Sequence, residues 1–396
     1  MRRISVEERR ARLAIRHRLV APAQSAAEAA DSVVVLHATD AASVYLSAAA
    51  RMASPAMTAI EHALYEKRTL VRILGMRRTV FVVPVELVPV VQAACTDAIA
   101  ARERRQFVKV LREAGIGADA DVDGWLTEVG EAAVRALRAR GQALSVELSE
   151  DEPRLREKFL VNPGKKYEGH VSVAGRLLPI LAAEGRIIRG RPRGTWISTQ
   201  YRWAPAETWL PGGLAAWPAE AARVELIRRW LAAFGPGTVA DIKWWTGLPA
   251  TDVKRALAEI RPVEVELDGG VTGLVLAADA EPVGAPDPWV ALLPALDPTP
   301  MGWTERDWYL GEHRAALFDR SGNIGPTVWC DGRIVGGWAQ RTDGEIGVRL
   351  LTDIGADRAK EVAVAAERLG EWLGPARFTP KFRTPLEREL TSSPGT

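Results

Sequence analysis

The chain has 396 residues, of which 47% are hydrophobic and 26% are charged, and its formal net charge at pH 7 is +2. This composition is typical of a folded globular protein and excludes a chain that is disordered throughout. The length predicts about two to four packed units. Its longest apolar stretches fall short of the roughly 20 residues that cross a bilayer, and the N-terminal segment lacks the apolar core of a secretion signal, so we expect a cytoplasmic protein with no membrane partner.

The two cysteines and five histidines of the chain are not arranged as a metal or disulfide framework. Cys95 and Cys330 stand far apart, with no CxxC motif and no nearby pair of histidines. The sequence therefore predicts no structural metal and indicates no cofactor.

The first segment, residues 1–95, is predicted to be a winged helix that contains the His-Ala-Thr-Asp sequence. Apolar periodicity predicts helices over 33–52 and 56–74 and a strand over 77–84, with Gly75 as the stop or turn residue between them.

The second module is expected over residues 146–215, after a helical connection over 96–145. A helix is predicted over 169–187, followed by a β-hairpin whose two strands join around Gly190 to Gly194. The same order of helix and hairpin as in the first module is therefore expected here.

The third module, residues 216–285, shows the pattern most clearly. Thr238 and Pro249 stand at two predicted helix starts, and alternating apolar residues around the Gly269-Gly270 turn predict a hairpin. Helix-turn-helix followed by a β-hairpin is the winged-helix arrangement. The alternative is that the three regions are unrelated helix-plus-hairpin modules.

The last segment, residues 286–396, has a different sequence pattern from the three modules. Short alternating strands, the Asp-Gly turns at 331–332 and 343–344, and a single clear helix predict a mostly antiparallel β domain. The expected fold class is thus α+β, with tandem winged-helix modules and this C-terminal domain.

The hairpin of the second module carries the strongest binding signal. Between residues 165 and 202 there are eight Lys or Arg residues and two acids, a local net charge of +6. Arg189, Arg191 and Arg193 alternate along one extended segment, a spacing suited to tracking a phosphate backbone. Further candidate DNA-binding residues follow on the returning strand: Gln200, Tyr201 and Arg202. The alternative is a solvated hairpin whose charges serve solubility.

A second basic patch surrounds the turn of the first module. Its candidate DNA-binding residues are Arg68, Arg72, Arg77 and Arg78. A charged helix end followed by an ordinary surface turn is the alternative interpretation.

A histidine and a carboxylate interrupt the apolar run at the start of the first module. On a helix, His37 and Asp40 share one face, while Thr39 points elsewhere. A histidine beside a carboxylate can position or deprotonate a water molecule. The structural alternative is that Asp40 or Thr39 caps a helix and His37 makes one internal hydrogen bond.

Five segments together resemble the bacterial winged-helix DNA-binding family that contains the AlkZ and YcaQ DNA glycosylases. They are LHATDAASVYLSAAAR, ALYEKRTLVRILGMRRTVFVVP, EGRIIRGRPRGTWISTQYRWAP, LLPALDPTPMGWTERDWYLG and ARFTPKFRTPLE, spread over nearly the whole chain. The resemblance implies a cradle of winged helices and a β-rich domain that binds duplex DNA. It also implies excision of alkylated purines, including N7 adducts and crosslinks, by a monomer associated with the nucleoid.

The family's Gln-x-Gln or Gln-x-Asp motif falls on His37-Ala38-Thr39, where neither position carries the family's residue. By this resemblance His37 is expected to position or deprotonate the attacking water and Thr39 to hydrogen-bond it. Asp40, one position further, is expected to stabilise the sugar cation. Two alternatives remain: a non-catalytic DNA-binding or regulatory protein, and a protein-interaction scaffold with no affinity for DNA.

Overall fold

The computed structural model describes residues 1–117, 121–162, 164–165 and 168–392, which form two compact units. The first unit contains residues 1–70, 81–84 and 223–396, and the second contains residues 71–80 and 85–222. The five segments expected from the sequence are a finer division than these two units and stay a prediction.

The first unit begins with a short strand and a capped helix, β1 (Arg2–Arg3) and α1 (Val6–Arg16). Ser5 accepts a hydrogen bond from the N–H of Glu8 at 3.3 Å, which satisfies one free donor at the helix start. Strand β1 later pairs in parallel with a strand of the third module.

The first module follows the order helix, strand, helix, helix, strand, strand. Its elements are α2 (Ala26–Asp31), β2 (Leu36–His37), α3 (Ala41–Ala49), α4 (Met57–Glu61), β3 (Leu70–Gly75) and β4 (Thr79–Pro84). A π-helical turn over 62–66 continues α4. This is the element order of a winged helix.

Two helices in the first module are shorter than the sequence predicts. The helix predicted over 33–52 is wrong at its start, because Leu36 and His37 form a strand that pairs with Val82 and Phe81. The helix predicted over 56–74 is wrong at its end, since β3 begins at residue 70. At Leu36–His37 a strand partner distant in sequence overrides the local periodicity.

The second unit has its own hydrophobic core, with helices and two β-hairpins built around it. Its elements are α5 (Val88–Val91), α6 (Asp97–Glu113), α7 (Val122–Arg140), α8 (Ser145–Asp151), β5 (Lys158–Val161), β6 (Gly169–Ser172), α9 (Val173–Ala183), β7 (Ile187–Pro192), β8 (Tyr201–Pro205) and α10 (Ala206–Trp209). Phe107, Leu126, Leu177 and Trp203 meet in this core.

The basic hairpin of the second module is formed, but the turn predicted around Gly190 to Gly194 is wrong at its start, because Gly190 lies within β7. Strands β7 and β8 pair antiparallel, with Arg189 opposite Trp203, and the turn covers residues 193–200. The helix predicted over 169–187 is wrong at its start, because residues 169–172 form β6 and Ser172 caps α9 through the N–H of Gly175 at 3.2 Å. A serine cap marks the boundary that apolar periodicity alone did not.

The third module has the predicted order of helices and strands, and from Arg223 onward it belongs to the first unit. Its elements are α11 (Ala219–Phe234), α12 (Val239–Thr246), α13 (Ala250–Ile260), β9 (Val263–Leu267) and β10 (Val271–Val275). Thr238 and Asp241 form a reciprocal capping box at the start of α12, with N–H to oxygen distances of 3.1 and 2.9 Å. The hairpin turns at Gly269 and Gly270, both with positive φ.

The C-terminal part of the first unit contains the expected antiparallel sheet. Its elements are β11 (Val290–Leu293), α14 (Asp307–Leu310), α15 (Arg314–Leu317), β12 (Thr327–Cys330), β13 (Arg333–Gln340), β14 (Ile346–Leu350), α16 (Ala356–Leu373) and α17 (Pro385–Ser392). The sheet has the order β11-β12-β13-β14. Asp331 and Gly332, with φ of 48° and 79°, form the tight turn between β12 and β13. The predicted α+β fold class is therefore confirmed.

Candidate functional site

His37 lies at the end of β2, half-buried, with its ring against Phe81 of β4. The two rings meet edge to face, with centroids 5.4 Å apart. The backbone N–H of Thr39 donates to Nδ1 of His37 over 3.4 Å. Because Nδ1 accepts in this arrangement, the neutral ring carries its proton on Nε2.

Asp40 is the N-cap of α3 and does not share a helical face with His37. Its φ and ψ of −106° and 127° are extended, so the predicted helical juxtaposition of His37 and Asp40 is wrong. One carboxylate oxygen, Oδ1, accepts the N–H of Ala42 at 3.0 Å, and the other, Oδ2, accepts the backbone N–H of Lys381 at 2.8 Å. The structural alternative for Asp40, a helix cap, is the one observed.

Helix α3, which begins directly after Asp40, is buried along most of its length and fixed at both ends. Ser43 donates from its hydroxyl to the carbonyl of Ala295 at 2.7 Å. Arg51, just beyond the helix, donates to both oxygens of Asp297 at 2.7 and 2.8 Å, with both side chains fully buried. The orientation of the His37 segment is thereby tied to the β-rich part of the same unit.

The second unit places two of the predicted DNA-binding arginines over aromatic rings. Arg72 of β3 is buried and lies 4.3 Å from the ring centroid of Tyr201, and Arg189 of β7 lies 5.3 Å from that of Trp203. Burial lowers the pKa of Arg189, and the positive charge of Arg72 lowers it further. Two like charges held together in a partly buried setting favour an anion beside them.

Two other predicted DNA-binding residues are already held in ion pairs. Arg78 contacts the buried Glu103 at 3.0 Å, and Arg202 contacts Glu147 at 3.4 Å. Arg77 and Arg78 are both exposed in a turn, and both have a positive φ, 54° for Arg77 and 59° for Arg78. This backbone conformation costs a non-glycine residue roughly 1 kcal/mol or more.

The turn of the basic hairpin carries the remaining predicted residues. Arg193 and Gln200 are exposed, and the N–H of Arg193 donates to the carbonyl of Gln200 at 2.8 Å, which closes the turn. Arg191 is half-buried on β7. Arg68, with φ of 55°, belongs to the first unit, as do His37, Thr39 and Asp40.

Sequence reasoning missed the roles of Lys381, Arg51 and Asp297. Their contacts join segments that are hundreds of residues apart, and no local pattern encodes such pairs. The only signal was the resemblance of the segments that contain them, LLPALDPTP and ARFTPKFRTPLE among these.

Across the residues that the structure describes, no group of three or more His, Cys, Asp or Glu side chains is placed to hold a metal ion. Within the same residues, no helix is long and apolar enough to span a membrane.

Helices followed by a β-hairpin recur along the chain, an order that is typical of winged-helix proteins. Within that class, a family model described as DNA glycosylase AlkZ-like matches residues 30–372. The chain therefore belongs to the AlkZ-like DNA glycosylase family.

Two individual proteins are similar to this chain. An interstrand DNA cross-link repair glycosylase from Streptomyces sahachiroi is 29% identical over 215 residues, which is 52% of this chain and 56% of that protein. The aligned region thus spans little more than half of that curated relative. The solved structure of the Streptomyces sahachiroi DNA glycosylase AlkZ superposes with a TM-score of 0.70 at 19% identity, covering 93% of this chain and 97% of that chain. The likeness in structure establishes the shared fold over nearly the full length of both chains.

Proposed function

We propose that this protein is a DNA glycosylase that hydrolyses the N-glycosidic bond of alkylated purines, including N7 adducts and interstrand crosslinks in duplex DNA. The observation that carries the proposal is the match of the DNA glycosylase family model to residues 30–372. The relative named as a cross-link repair glycosylase supports the choice of lesion. We further propose that the protein acts as a monomer in the cytoplasm, on the nucleoid.

Hydrolysis of this bond requires little assistance from the side chains, because an N7-alkylated purine is cationic and its bond to the sugar is already weakened. His37 and Thr39 occupy the two motif positions, and we assign them to the attacking water. The proton on Nε2 suits His37 to donate to that water, and the Thr39 hydroxyl supplies a second hydrogen bond. In this assignment the imidazole orients the water instead of deprotonating it.

Asp40 contributes a negative charge near the oxocarbenium-like sugar. Both of its oxygens accept backbone N–H groups, so the carboxylate is held in place. A fixed charge stabilises a developing cation without reorganising at the moment of reaction.

DNA binding is assigned to the basic hairpins. The arginine pair Arg72 and Arg189, with Tyr201 and Trp203 beside it, supports contacts to phosphates because an anion relieves the repulsion between the two guanidiniums. Arg77, Arg191 and Arg193 and Gln200 would add backbone contacts around this pair, and Arg68 would do so from the first unit. Arg78 and Arg202 can join only by exchanging their carboxylate partners.

The test is release of 7-methylguanine from duplex DNA under single-turnover conditions, with a bulky N7 adduct and a crosslink as further substrates. We expect release by the wild type and loss of about 100-fold or more in His37→Ala, the size expected when a hydrogen-bond donor held at the reacting centre is removed, with a smaller loss in Thr39→Val. His170→Ala, a change at an exposed histidine of the second unit, is the control.

A non-catalytic DNA-binding protein is the second candidate, favoured by the absence of the family's residues from both motif positions, His37 and Thr39. It predicts wild-type binding of duplex DNA with no base release from any of the three substrates. That result would overturn the assignment of an enzyme.

A further inference from the structure

The first unit has a groove of about 540 Å³ between the loop after α15 and the segment before α17. The charged residues of its lining are four bases and one acid: Arg320, Lys381, Arg383, Arg388 and Asp319. The groove is thus strongly biased toward an anion.

The negative charge in the groove is engaged by its own loop. Asp319 accepts the N–H groups of Ser321 and Asn323, both at 2.8 Å, and the side-chain amide of Asn323 at 2.8 Å. The carboxylate therefore serves the turn and makes no ion pair with the cations among the described residues.

One of the four bases is also engaged, and three are available. Arg383 donates to both oxygens of Glu387, at 2.6 and 3.0 Å. Arg320, Lys381 and Arg388 are exposed and form no ion pair with any residue that the structure describes. Three cations without ion-pair partners around one cavity create a positive potential that attracts a phosphate group.

The wall that carries Lys381 is fixed to the candidate active site. The backbone N–H of Lys381 donates to Oδ2 of Asp40 at 2.8 Å, and the N–H of Phe378 donates to Oε1 of Gln340 at 3.0 Å. Pro380 is buried between these two contacts. The basic groove therefore begins at Lys381, whose backbone is hydrogen-bonded to the residue next to the motif.

We propose that this groove binds a backbone phosphate of the damaged DNA strand, and that Asp40 is also the positioning residue for its Lys381 wall. The inference rests on the proposed function for its partner, duplex DNA. Phosphate contacts of this kind fix the register of a protein on DNA without reading sequence. The groove would therefore hold the lesion's sugar opposite His37 whatever the neighbouring bases are.

The first test is the salt dependence of duplex binding by Lys381→Ala, Arg388→Ala and Arg320→Ala, followed by fluorescence anisotropy at 50 and 200 mM salt. Wild type should lose affinity between these two salt concentrations. For each lost phosphate contact, that fold-loss should be about threefold smaller, since the slope changes by roughly 0.9 per contact. Lys360→Ala and Arg368→Ala, exposed bases on α16, are the matched controls and should keep the wild-type slope.

A second measurement identifies the phosphate. Single methylphosphonate linkages, which lack the charge, are placed one at a time along the damaged strand. Wild type should lose affinity at one or two positions near the lesion, and Lys381→Ala should be insensitive there. Competition by inorganic phosphate combined with a flat methylphosphonate scan would show a site for free phosphate, and would overturn the proposal.

Base release by the wild type separates the two levels of the proposal. If wild type releases 7-methylguanine while all three groove variants keep its salt slope, the groove is not a DNA site and the glycosylase assignment stands. If the groove variants change the slope while no lesion is processed, the enzyme assignment fails and the phosphate site stands. If wild type does not bind duplex DNA, both are overturned.

Discussion

The side chain of Asp40 is hydrogen-bonded to the backbone of Lys381, 341 positions further along the chain. The same carboxylate caps α3 through the N–H of Ala42. One residue therefore fixes where the first buried helix after the motif begins and where the C-terminal segment lies. Its replacement should affect both features at once.

We expect Asp40→Ala to lower the free energy of unfolding by about 1 to 2 kcal/mol, because it removes a helix cap and a long-range hydrogen bond. Asp40→Ser keeps a capping hydroxyl but is too short to serve both N–H groups, and should cost less. Urea denaturation of the full chain measures both. Equal stability of wild type and Asp40→Ala would contradict the capping role.

The predicted DNA-binding arginines should differ in importance according to their partners. Arg189→Met keeps an unbranched side chain against Trp203 but removes the charge, and should flatten the salt dependence of duplex binding by about 0.9 in slope. Arg202→Met should have a smaller effect, because Arg202 must first give up Glu147. Equal changes in slope for the two variants would show that the ion pair does not restrain Arg202.

The third module could be predicted from sequence because its signals are local. Thr238 caps α12, Gly247 ends it with a φ of 68°, and the helix between them is short. Such features depend on hydrogen bonds within a few residues, so the sequence displays them directly.

The strand at Leu36–His37 could not be predicted in the same way. Two residues have no measurable periodicity, and this strand exists only because Val82 and Phe81 pair with it. The bond between Asp40 and Lys381 is equally hidden, since the donor is a backbone N–H that every residue except proline possesses. The chemistry of the motif was visible in sequence, whereas its surroundings depended on pairing across the unit.

The buried pair Arg51 and Asp297 should be strongly coupled in stability. Asp297→Asn is expected to cost about 3 to 5 kcal/mol, because it leaves a buried guanidinium without its counter-charge. Adding Arg51→Met should cost less than the sum of the two single changes, by at least about 1 kcal/mol. Urea denaturation of the four proteins measures this coupling, and strict additivity would refute it.

The same pair sets a limit on stability at acid pH. Burial favours a higher pKa for Asp297, but attraction to Arg51 and the hydrogen bonds from that guanidinium hold the pKa below its usual range. A lowered carboxyl pKa stabilises the fold above the ordinary aspartate value of about 4, and this stabilisation is lost as the pH falls below it.

His17 also belongs to this network of buried polar groups. Its burial should make the free energy of unfolding fall already between pH 7 and pH 5. Its Nδ1 lies 2.9 Å from the hydroxyl of Thr299, which accepts from Arg51, and its Nε2 lies 3.1 Å from the carbonyl of Ala233. Burial first, and then the charge of Arg51, lowers the pKa of His17 to about 3. The folded protein therefore holds this imidazole neutral at a pH where the unfolded chain protonates it.

The sign of the effect follows from proton binding. Below the unfolded histidine pKa of about 6.5 the unfolded chain binds one more proton at this position, so stability falls with pH, by about 2 kcal/mol between pH 7 and pH 5. We expect His17→Gln to be less stable than wild type at pH 7 and to lose less on acidification. His170→Gln, at an exposed position, should follow the wild-type curve. Parallel curves for wild type and His17→Gln in urea denaturation at pH 7, 6 and 5 would show that His17 is not the group responsible.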